Sequence, residues 1–445
     1  MSSTRIKQQT IDILIADLND ARQRTLTLIE GLNSEQLMGK QLNTVNPLLW
    51  EIGHIAYFHE LWILRHLDNA ESFLKQADAL YDSINIAHDD RWHLALPSLN
   101  ETKQYMQQVL QAEIARLQNI ETVTEKDIYL TRYALFHEDM HTEAFTYTRR
   151  TLNYPAPQFK NSTLTNEHNN AGVLSGDANI AGGEYLLGAP NNIEFCFDNE
   201  KWQHPVQVKS FAIAKSATTF QQFADFVNDG GYQEKQFWDN DGWAWLQKNN
   251  ITQPNGWKKA ARNNNKNNQQ GWLIQYFDQW QTLQPNAAVI HINWFEANAW
   301  CKWAGRRLPS EAEWELAASG TPNNINEKRT YPWGNNWNFS SAIFANMSSH
   351  TMGTIDVGAL PQSDSAFGCR QMLGNCWEWT ADTFKPYPGF VADMYKDYSQ
   401  PLFGQTKVLR GGGWATPARM MRNTWRTYYG PDRNDVFAGF RSCAL

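Results

Sequence analysis

The spacing of apolar residues changes once along the chain, near Asn153, and this change constrains the fold more than any other feature. Before it, four stretches carry apolar residues at helical spacing: residues 5–32, 47–67, 101–120 and 125–152. Asn46 and Pro47 predict the cap and first turn of the second helix. Four such helices can bury their apolar faces against one another, so the sequence predicts an antiparallel four-helix bundle.

After Asn153 the helical spacing is lost. Residues 154–180 are rich in Pro, Asn, Ser and Gly, which predicts a linker. Residues 181–445 contain short strand patterns, such as HPVQVKSFAIA and KVLRGGGWA, and two short helix patterns, TTFQQFADFVND and NWFEANAWCKWAG. The sequence therefore predicts two domains: a bundle over 1–153 and an α+β domain rich in irregular structure over 181–445.

The composition indicates small-molecule chemistry. The 445 residues carry a net charge of -7 and no run of Lys and Arg, which argues against nucleic acid or a membrane surface as a partner. The N-terminal sequence has no apolar signal core, and no stretch approaches the roughly 20 apolar residues of a membrane span. We therefore expect a cytoplasmic protein. The five cysteines lack CxxC spacing, so they predict neither a disulfide framework nor a thiolate metal site.

Three histidines predict a metal site in the bundle. His137 and His141 are four residues apart on the fourth helix, so their imidazoles share one face. His54, on the second helix, can add a third ligand. Three neutral nitrogen ligands without a thiolate leave coordination positions open, which suits catalytic zinc or a non-haem Fe(II) that must also hold substrate and O2. His59 and His66 lie off this face of the second helix, and we expect them to be solvated or to serve in packing.

The same two histidines also fit a different enzyme class. His137-Glu138-x-x-His141 matches the HExxH pattern of zinc peptidases, in which the glutamate is a general base. That mechanism needs a third ligand downstream, and Tyr147 stands where an HxxGxxH extension would place it. A zinc hydrolase is therefore a remote alternative.

Motifs along the second domain resemble those of a known fold. In order, GGEYLLGA, INWFEANAWCKWAGRRLPSEAEWELAA, PWGNNW, GCRQMLGNCWEWTAD, VLRGGGWA and GFRS are similar to the blocks of the formylglycine-generating-enzyme/sulfatase-modifying fold, which is related in shape to C-type lectins. The bundle, with one histidine on its second helix and HxxxH on its fourth, resembles the DinB-type domain fused to this fold in the sulfoxide synthases of ergothioneine and ovothiol biosynthesis. The resemblance covers almost the whole chain and implies a DinB-like four-helix bundle followed by a lectin-like domain.

The resemblance also implies how the metal is held. Members of this family bind Fe(II) with three histidines, which correspond here to His54, His137 and His141. The iron activates O2, the co-substrate, to join the sulfur of a cysteine-type donor to the imidazole carbon of a histidine derivative. Each ligand needs an acceptor for its second ring nitrogen. The candidates are Glu51, Glu138 and Asp139.

Further residues match substrate contacts of the family. Arg91 matches a basic contact to the carboxylate of the thiol donor, and Met140 stands where ergothioneine-type enzymes have Gln. Tyr428 and Tyr429 replace part of an Asn-Trp-Asp-type stretch that binds the trimethylammonium imidazole substrate. The aromatic faces of these tyrosines can hold a quaternary ammonium by cation–π attraction.

The family uses a tyrosine of the second domain as a proton donor, because reduction of O2 needs a positioned acid. Two tyrosines follow the WEW motif closely enough to serve. The candidates are Tyr387 and Tyr395.

The two histidine helices, PLLWEIGHIAYFHE and FHEDMHTEAFTYTRRTLNYP, are most similar to the selenoneine branch of the family, in which a selenosugar replaces the thiol and hercynine is the acceptor. The sequence therefore predicts a selenoneine synthase-like enzyme that forms a carbon–selenium bond. Alternatives are an ergothioneine-type hercynine sulfoxide synthase using γ-glutamylcysteine or cysteine, and an ovothiol-type synthase acting on histidine. A true formylglycine-generating enzyme uses a copper-binding cysteine pair near the end of the fold, where this chain has only Cys443. A non-catalytic lectin-like binding module is a further alternative, against which the three histidines argue.

Overall fold

Long helices form wherever the first third of the sequence carries apolar residues at helical spacing. The computed structural model describes residues 3–159, 170–261, 271–336 and 344–445. The chain divides into two units, Met1–Lys160 and Asn161–Leu445. The helices of nine or more residues in the first unit are α1 (Ser3–Ile29), α2 (Leu48–His59), α3 (Leu99–Asn119) and α4 (Glu125–Thr151). The predicted helical N-terminal domain is confirmed.

Shorter helical segments connect these helices. They are Ser34–Met38, Glu60–Arg65, His66–Asp68, Ala77–Tyr81 and His88–Trp92. Glu60–Arg65 is a π-helical turn that continues α2 without a break. The buried Glu60 carboxylate at its start accepts hydrogen bonds from Ser72 Oγ at 2.8 Å, from the Phe73 amide at 2.6 Å and from Tyr105 Oη at 2.9 Å. This turn therefore ties α2 to α3 and to the segment that follows α2.

Capping boxes fix where α3 and α4 begin. At α4 the Thr124 hydroxyl accepts a hydrogen bond from the Asp127 amide at 3.2 Å, and the Asp127 carboxylate accepts one from the Thr124 amide at 2.7 Å. Ser98 and Glu101 form the same arrangement at α3. These contacts satisfy backbone donors that the first turn of a helix leaves without a helical partner.

The start of α2 differs from the predicted cap. The helix begins at Leu48, and its N-cap residue, Pro47, makes no side-chain hydrogen bond to the first turn. Asn46 instead accepts a hydrogen bond from Arg91 Nη1 at 2.8 Å. A residue before proline is driven into extended backbone, so its side chain can serve a contact away from the helix.

Short strands are distributed along the second unit. They are β1 (Asp177–Ile180), β2 (Gly183–Leu187), β3 (His204–Val208), β4 (Phe211–Ala214), β5 (Trp257–Lys259), β6 (Trp272–Tyr276), β7 (Gln279–Thr282), β8 (Arg306–Arg307), β9 (Trp377–Thr383), β10 (Lys407–Arg410), β11 (Arg426–Tyr429), β12 (Ala438–Gly439) and β13 (Cys443–Ala444). Two four-stranded sheets have the strand orders β1-β4-β13-β8 and β11-β10-β9-β12. Their pairings are antiparallel except that of β9 with β12. Strand β2 pairs with β3, and β5, β6 and β7 form a further sheet.

Helices complete the α+β composition predicted for this domain, which is confirmed. They are α5 (Phe220–Asn228), α6 (Asn240–Asn249), α7 (Trp294–Trp303) and α8 (Glu311–Ser319). Helices α5 and α7 match the two short helix patterns of the sequence. Single 3₁₀ turns occur at Asp198–Glu200, Lys235–Phe237, Pro361–Ser363, Lys396–Tyr398, Gln400–Leu402 and Ala418–Met420. Within the described ranges, no helix combines the length and the apolar character that crossing a membrane requires.

The expected linker, 154–180, contains the first strand of the second unit. Residues 160–169 lie outside the described residues, and Asp177–Ile180 pairs antiparallel with β4. Ala178 and Ile180 are buried in the core of this unit. Two buried positions in a four-residue strand give too short an alternation to stand out from a polar sequence.

Buried ion pairs join α8 to the sheet that carries β10 and β11. Glu311 Oε1 lies 3.0 Å from Arg410 Nη1 and 2.6 Å from Arg426 Nε. Arg410 also pairs with Glu315, which in turn pairs with Lys328. Removing one partner of a buried pair leaves an uncompensated charge, at a cost of about 3–5 kcal/mol. These pairs therefore hold β11 in a fixed position against α8.

Candidate metal centre

The structure brings the three predicted ligand histidines together. His54 projects from α2, and His137 and His141 project from successive turns of α4. His137 Nε2 lies 3.3 Å from His54 Nε2 and 3.2 Å from His141 Nε2. Among the described residues, this is the one group of three or more potential ligand side chains whose ligand atoms all lie within 4.8 Å of one another.

Hydrogen bonds at the second ring nitrogens orient two of these ligands. His54 Nδ1 donates to the Tyr81 carbonyl at 2.8 Å, and His141 Nδ1 donates to Glu51 Oε1 at 2.5 Å. Each bond fixes the tautomer that leaves the Nε2 lone pair available to a metal. Glu51, one of the three carboxylates that the sequence offers as acceptors, makes this contact with His141.

Aromatic rings of α2 pack flat against two of the ligands. Trp50 stacks on His54 with ring centroids 4.9 Å apart and an interplanar angle of 8°. Phe58 stacks on His137 with centroids 3.7 Å apart and an angle of 10°. Sequence reasoning missed both rings, although their spacing around His54, at four residues before and four after, places all three on one face of α2.

Burial keeps two of the imidazoles neutral. Desolvation by burial, reinforced by the nearby His141, lowers the pKa of His54 to about 3. Burial and the other two histidines hold the pKa of His137 well below its ordinary value. Neutral imidazole is the form that binds metal. The donor set, three nitrogens with acceptors behind two of them, therefore fits a borderline divalent metal such as Fe(II) or zinc with coordination positions left open.

The HExxH glutamate has other partners. Glu138 Oε1 lies 3.0 Å from Arg22 Nε and accepts a hydrogen bond from Thr25 Oγ1 at 2.7 Å. Its Oε2 lies 3.2 Å from His59 Nε2. Burial would raise the pKa of Glu138, but Arg22 and His59 hold it well below its ordinary range. A carboxylate held as an ion between these groups is a poor general base, which argues against the zinc-hydrolase alternative.

His59 differs from the expectation of a solvated or packing residue. It is 1% exposed, and its Nδ1 lies 2.9 Å from Glu113 Oε2. Burial alone would lower the pKa of His59, but Glu113 and Glu138 raise it to about 9. His59 is five residues from His54, so the two side chains point in different directions around α2. The His59 side chain points toward carboxylates of α3 and α4 and not toward water. His66 is exposed, as expected.

Arg91 lies near the histidine group, and Met140 precedes His141 on α4. Arg91 Cζ is 4.1 Å from the centre of the Trp50 ring, which stacks on His54. After burial and the effect of His141, the charge of Arg91 also contributes to the lowered pKa of His54. Met140 is half-buried.

The two candidate proton donors have different surroundings. Tyr387 is buried in the core of the second unit, where its hydroxyl donates to Glu311 Oε1 at 3.3 Å and its ring lies 4.0 Å from Arg426 Cζ. Burial raises the pKa of Tyr387 well above its ordinary value. Tyr395 is half-buried and immediately precedes the turn Lys396–Tyr398.

Tyr428 lies in an aromatic cluster. Its ring stacks on Phe384 with centroids 4.0 Å apart and meets Tyr398 edge-on at 5.9 Å. Burial, with contributions from Tyr398 and Tyr395, raises the pKa of Tyr428 well above its ordinary value.

Tyr429 follows Tyr428 on β11 and already faces a cation. Arg433 Cζ lies 5.0 Å from the centre of the Tyr429 ring, and Arg433 Nε is paired with Asp435 at 2.6 Å. The opposite face of the ring is the one that a quaternary ammonium would have to use.

Comparison with known proteins identifies both parts of the chain. Residues 17–146 match the model of the DinB superfamily, and residues 164–444 match that of the sulfatase-modifying factor enzyme 1-like domain. Hercynine oxygenase of Mycolicibacterium smegmatis is 32% identical over 442 residues, which cover 97% of this chain and 98% of the relative. Hercynine oxygenase of Mycobacterium tuberculosis is 32% identical over 432 residues, covering 96% and 97%.

A third relative matches the second part alone. The formylglycine-generating enzyme of Thermomonospora curvata is 27% identical over 303 residues, which cover 61% of this chain and 94% of the relative. The two mycobacterial proteins align across the bundle and the lectin-like domain together. The chain therefore belongs to the family that joins a DinB domain to a sulfatase-modifying-factor-like domain, the family of the mycobacterial hercynine oxygenases.

Proposed function

We propose that this protein is a non-haem Fe(II), O2-dependent oxidoreductase that forms a bond between a chalcogen and the imidazole of hercynine. The observation that carries the proposal is the convergence of three Nε2 atoms within 4.8 Å, in a chain 32% identical to hercynine oxygenases. His54, His137 and His141 would hold the iron. Fe(II) bound there would activate O2 next to the donor atom.

The residues around the histidines prepare the site for that chemistry. Glu51 and the Tyr81 carbonyl keep the Nδ1 protons of His141 and His54 in place, so their Nε2 atoms stay directed at the metal. Trp50 and Phe58 exclude water from the ring faces of two ligands. His141 is the most exposed of the three, with 17% of its side chain accessible, so substrate would approach from its side.

We propose Tyr428 and Tyr429 as contacts of hercynine. Both are half-buried aromatic residues on β11, and an aromatic face attracts a trimethylammonium group by about 0.5–2 kcal/mol. Arg426 on β11 and Arg410 on the neighbouring β10 form ion pairs with α8, which keep β11 rigid, so the rings are positioned before substrate arrives.

We propose a selenosugar as the donor. Arg91, the residue matching a carboxylate contact of thiol donors, is engaged by other groups: Nη1 donates to Asn46, and Nη2 lies 3.4 Å from the carbonyls of Ser83 and Ile86. A carboxylate-bearing thiol would have to share or displace these contacts, whereas an uncharged sugar would not. Met140, apolar where ergothioneine-type enzymes have Gln, would contact the donor beside His141.

The alternative donor is γ-glutamylcysteine or cysteine. The positive charge of Arg91 contributes to the lowered pKa of His54, and the same charge would favour an anionic thiol donor beside His54. An ovothiol-type reaction on histidine would need no trimethylammonium contact.

Of the two tyrosines, Tyr395 is our proposed proton donor. It is half-buried, whereas the Tyr387 hydroxyl is already bonded to Glu311 within the core. A general acid must reach the reacting group directly or through one water.

A substrate panel tests this proposal. The protein is first loaded with Fe(II) in the absence of oxygen. It is then exposed to O2 with hercynine or histidine as acceptor and with a selenosugar, γ-glutamylcysteine or cysteine as donor. Mass spectrometry identifies the products. A hercynine–selenium adduct is expected. A sulfur adduct alone would assign the chain to the ergothioneine type, and an adduct formed only with histidine would assign it to the ovothiol type.

A further inference from the structure

Two consecutive residues of α2 contact two consecutive residues of α4. The Phe58 ring stacks on His137 with centroids 3.7 Å apart. The next residue of α2, His59, contacts the next residue of α4, Glu138, with Nε2 and Oε2 3.2 Å apart. We call these four residues the α2–α4 contact.

Buried charges complete this contact on both sides. Glu138 Oε1 lies 3.0 Å from Arg22 Nε of α1, and His59 Nδ1 lies 2.9 Å from Glu113 Oε2 of α3. The two cations and two carboxylates are all less than 5% exposed. Because a buried charge that loses its partner is strongly destabilising, these groups cannot exchange partners or turn toward water at low cost.

Contacts at two adjacent positions define how a helix is rotated. Neighbouring residues of an α-helix point about 100° apart around its axis. If α4 rotated about its axis and moved His137, the ring stack of His137 with Phe58 would be lost even if Glu138 stayed against His59. A rotation that moved Glu138 would likewise break its contact with His59 even if His137 stayed stacked on Phe58. A single contact on one face would leave more freedom of rotation.

We infer that Phe58 and His59 are positioning residues for the metal ligand His137, holding α4 in the rotation that directs His137 Nε2 at the other two ligands. The inference rests on the proposed metal site and deepens it. It also gives Glu138 a role: the glutamate of the HExxH pattern anchors the helix through His59 and Arg22. The α2–α4 contact acts on His137 through the stacked Phe58 ring.

Cobalt binding to the full-length chain tests this inference. Co(II) is titrated without oxygen into the wild type and into His59→Gln and Phe58→Leu, recording affinity and the visible ligand-field bands. Loss of an orienting contact behind a metal ligand typically weakens binding by about 10- to 100-fold. We expect both variants to bind Co(II) about tenfold or more weakly, with shifted bands that report an altered ligand arrangement.

Tyr105→Phe is the matched control. It removes a buried hydrogen bond to Glu60, the residue after His59, and should lower the unfolding temperature without changing Co(II) affinity or bands. A folded His59→Gln or Phe58→Leu that binds Co(II) like the wild type would overturn the inference, as would an equal loss of affinity in Tyr105→Phe. If His59→Gln does not fold, Phe58→Leu decides alone. Failure of the wild type to bind Co(II) would instead overturn the proposed metal site.

Discussion

At the scale of single residues, the position of His54 depends on a missing side chain. A Cβ atom at Gly53 would lie 2.2 Å from Cζ of Tyr81, far inside contact distance. The Tyr81 ring is fully buried, and its carbonyl accepts the hydrogen bond from His54 Nδ1. Glycine thus lets Tyr81 lie close enough to α2 to orient the ligand that follows it.

Gly53→Ala should therefore weaken metal binding. The added methyl group must displace Tyr81, which moves the acceptor of His54 and should cost about tenfold in Co(II) affinity and about 1–3 kcal/mol of stability. Gly353→Ala is the control, since a Cβ there meets nothing within 4 Å. Affinity equal to wild type in Gly53→Ala would show that the Tyr81 carbonyl does not orient His54.

Replacement of the tyrosines separates the two proton-donor candidates. Tyr395→Phe should lower the rate of product formation by about 100-fold or more, because a positioned acid contributes about 10²–10⁴. Iron affinity should be unchanged. Tyr387→Phe should keep most of the activity and lose stability, since it gives up a buried hydrogen bond to Glu311. The opposite ranking of the two rates would move the acid to Tyr387.

The grouping of the three histidines could be predicted from the sequence, but the contacts that support them could not. HxxxH spacing places His137 and His141 on one face by helix geometry alone. Which groups surround His59 depends on how α2 is rotated against α3 and α4, and this follows from packing between distant segments. The sequence likewise offers three candidate carboxylates as acceptors, and packing of α2 against α4 brings Glu51 to His141.

At the scale of elements, the start of α7 contains a buried carboxyl group. Glu296 accepts a hydrogen bond from the Asn293 amide at 2.9 Å, completing a capping box, and another from Tyr232 Oη. Burial raises the pKa of Glu296 from 4.5 to about 7. The folded chain therefore keeps a proton that the unfolded chain releases, and this group's contribution to stability falls as pH rises from about 4.5 to 7.

Glu296→Gln should remove this pH dependence. Glutamine can still cap α7 but has no charge to bury, so the variant should lose less stability than the wild type between about pH 5 and pH 8. The shift of Glu296 corresponds to up to about 3 kcal/mol. Denaturant unfolding at the two pH values measures the difference. An equal change in unfolding free energy between the two pH values in both proteins would contradict the raised pKa of Glu296.

The sequence predicts elements best where they are long or capped. Helices α3 and α4 begin at capping boxes that are visible as Ser98 with Glu101 and Thr124 with Asp127. The sequence does not distinguish strand β1 from the linker, because four residues give little periodicity and its pairing with β4 is a non-local contact.

At the scale of the whole molecule, the proposed metal ligands and the proposed proton donor belong to different units. His54, His137, His141 and their acceptors all precede residue 160, whereas Tyr395 and Tyr428 follow it. A fragment of residues 1–160 should therefore bind Co(II) with wild-type bands but form no product from hercynine. Turnover by the fragment would contradict the roles proposed for the second unit.

The most direct test of the metal centre replaces each ligand in turn. Iron content after anaerobic loading and O2-dependent loss of hercynine are measured on the same samples of wild type, His54→Ala, His137→Ala and His141→Ala. We expect one iron per chain and turnover in the wild type, with both lost in each variant. Full-rate turnover in any of the three variants, or a wild type that binds iron but consumes no O2 with any donor offered, would contradict it.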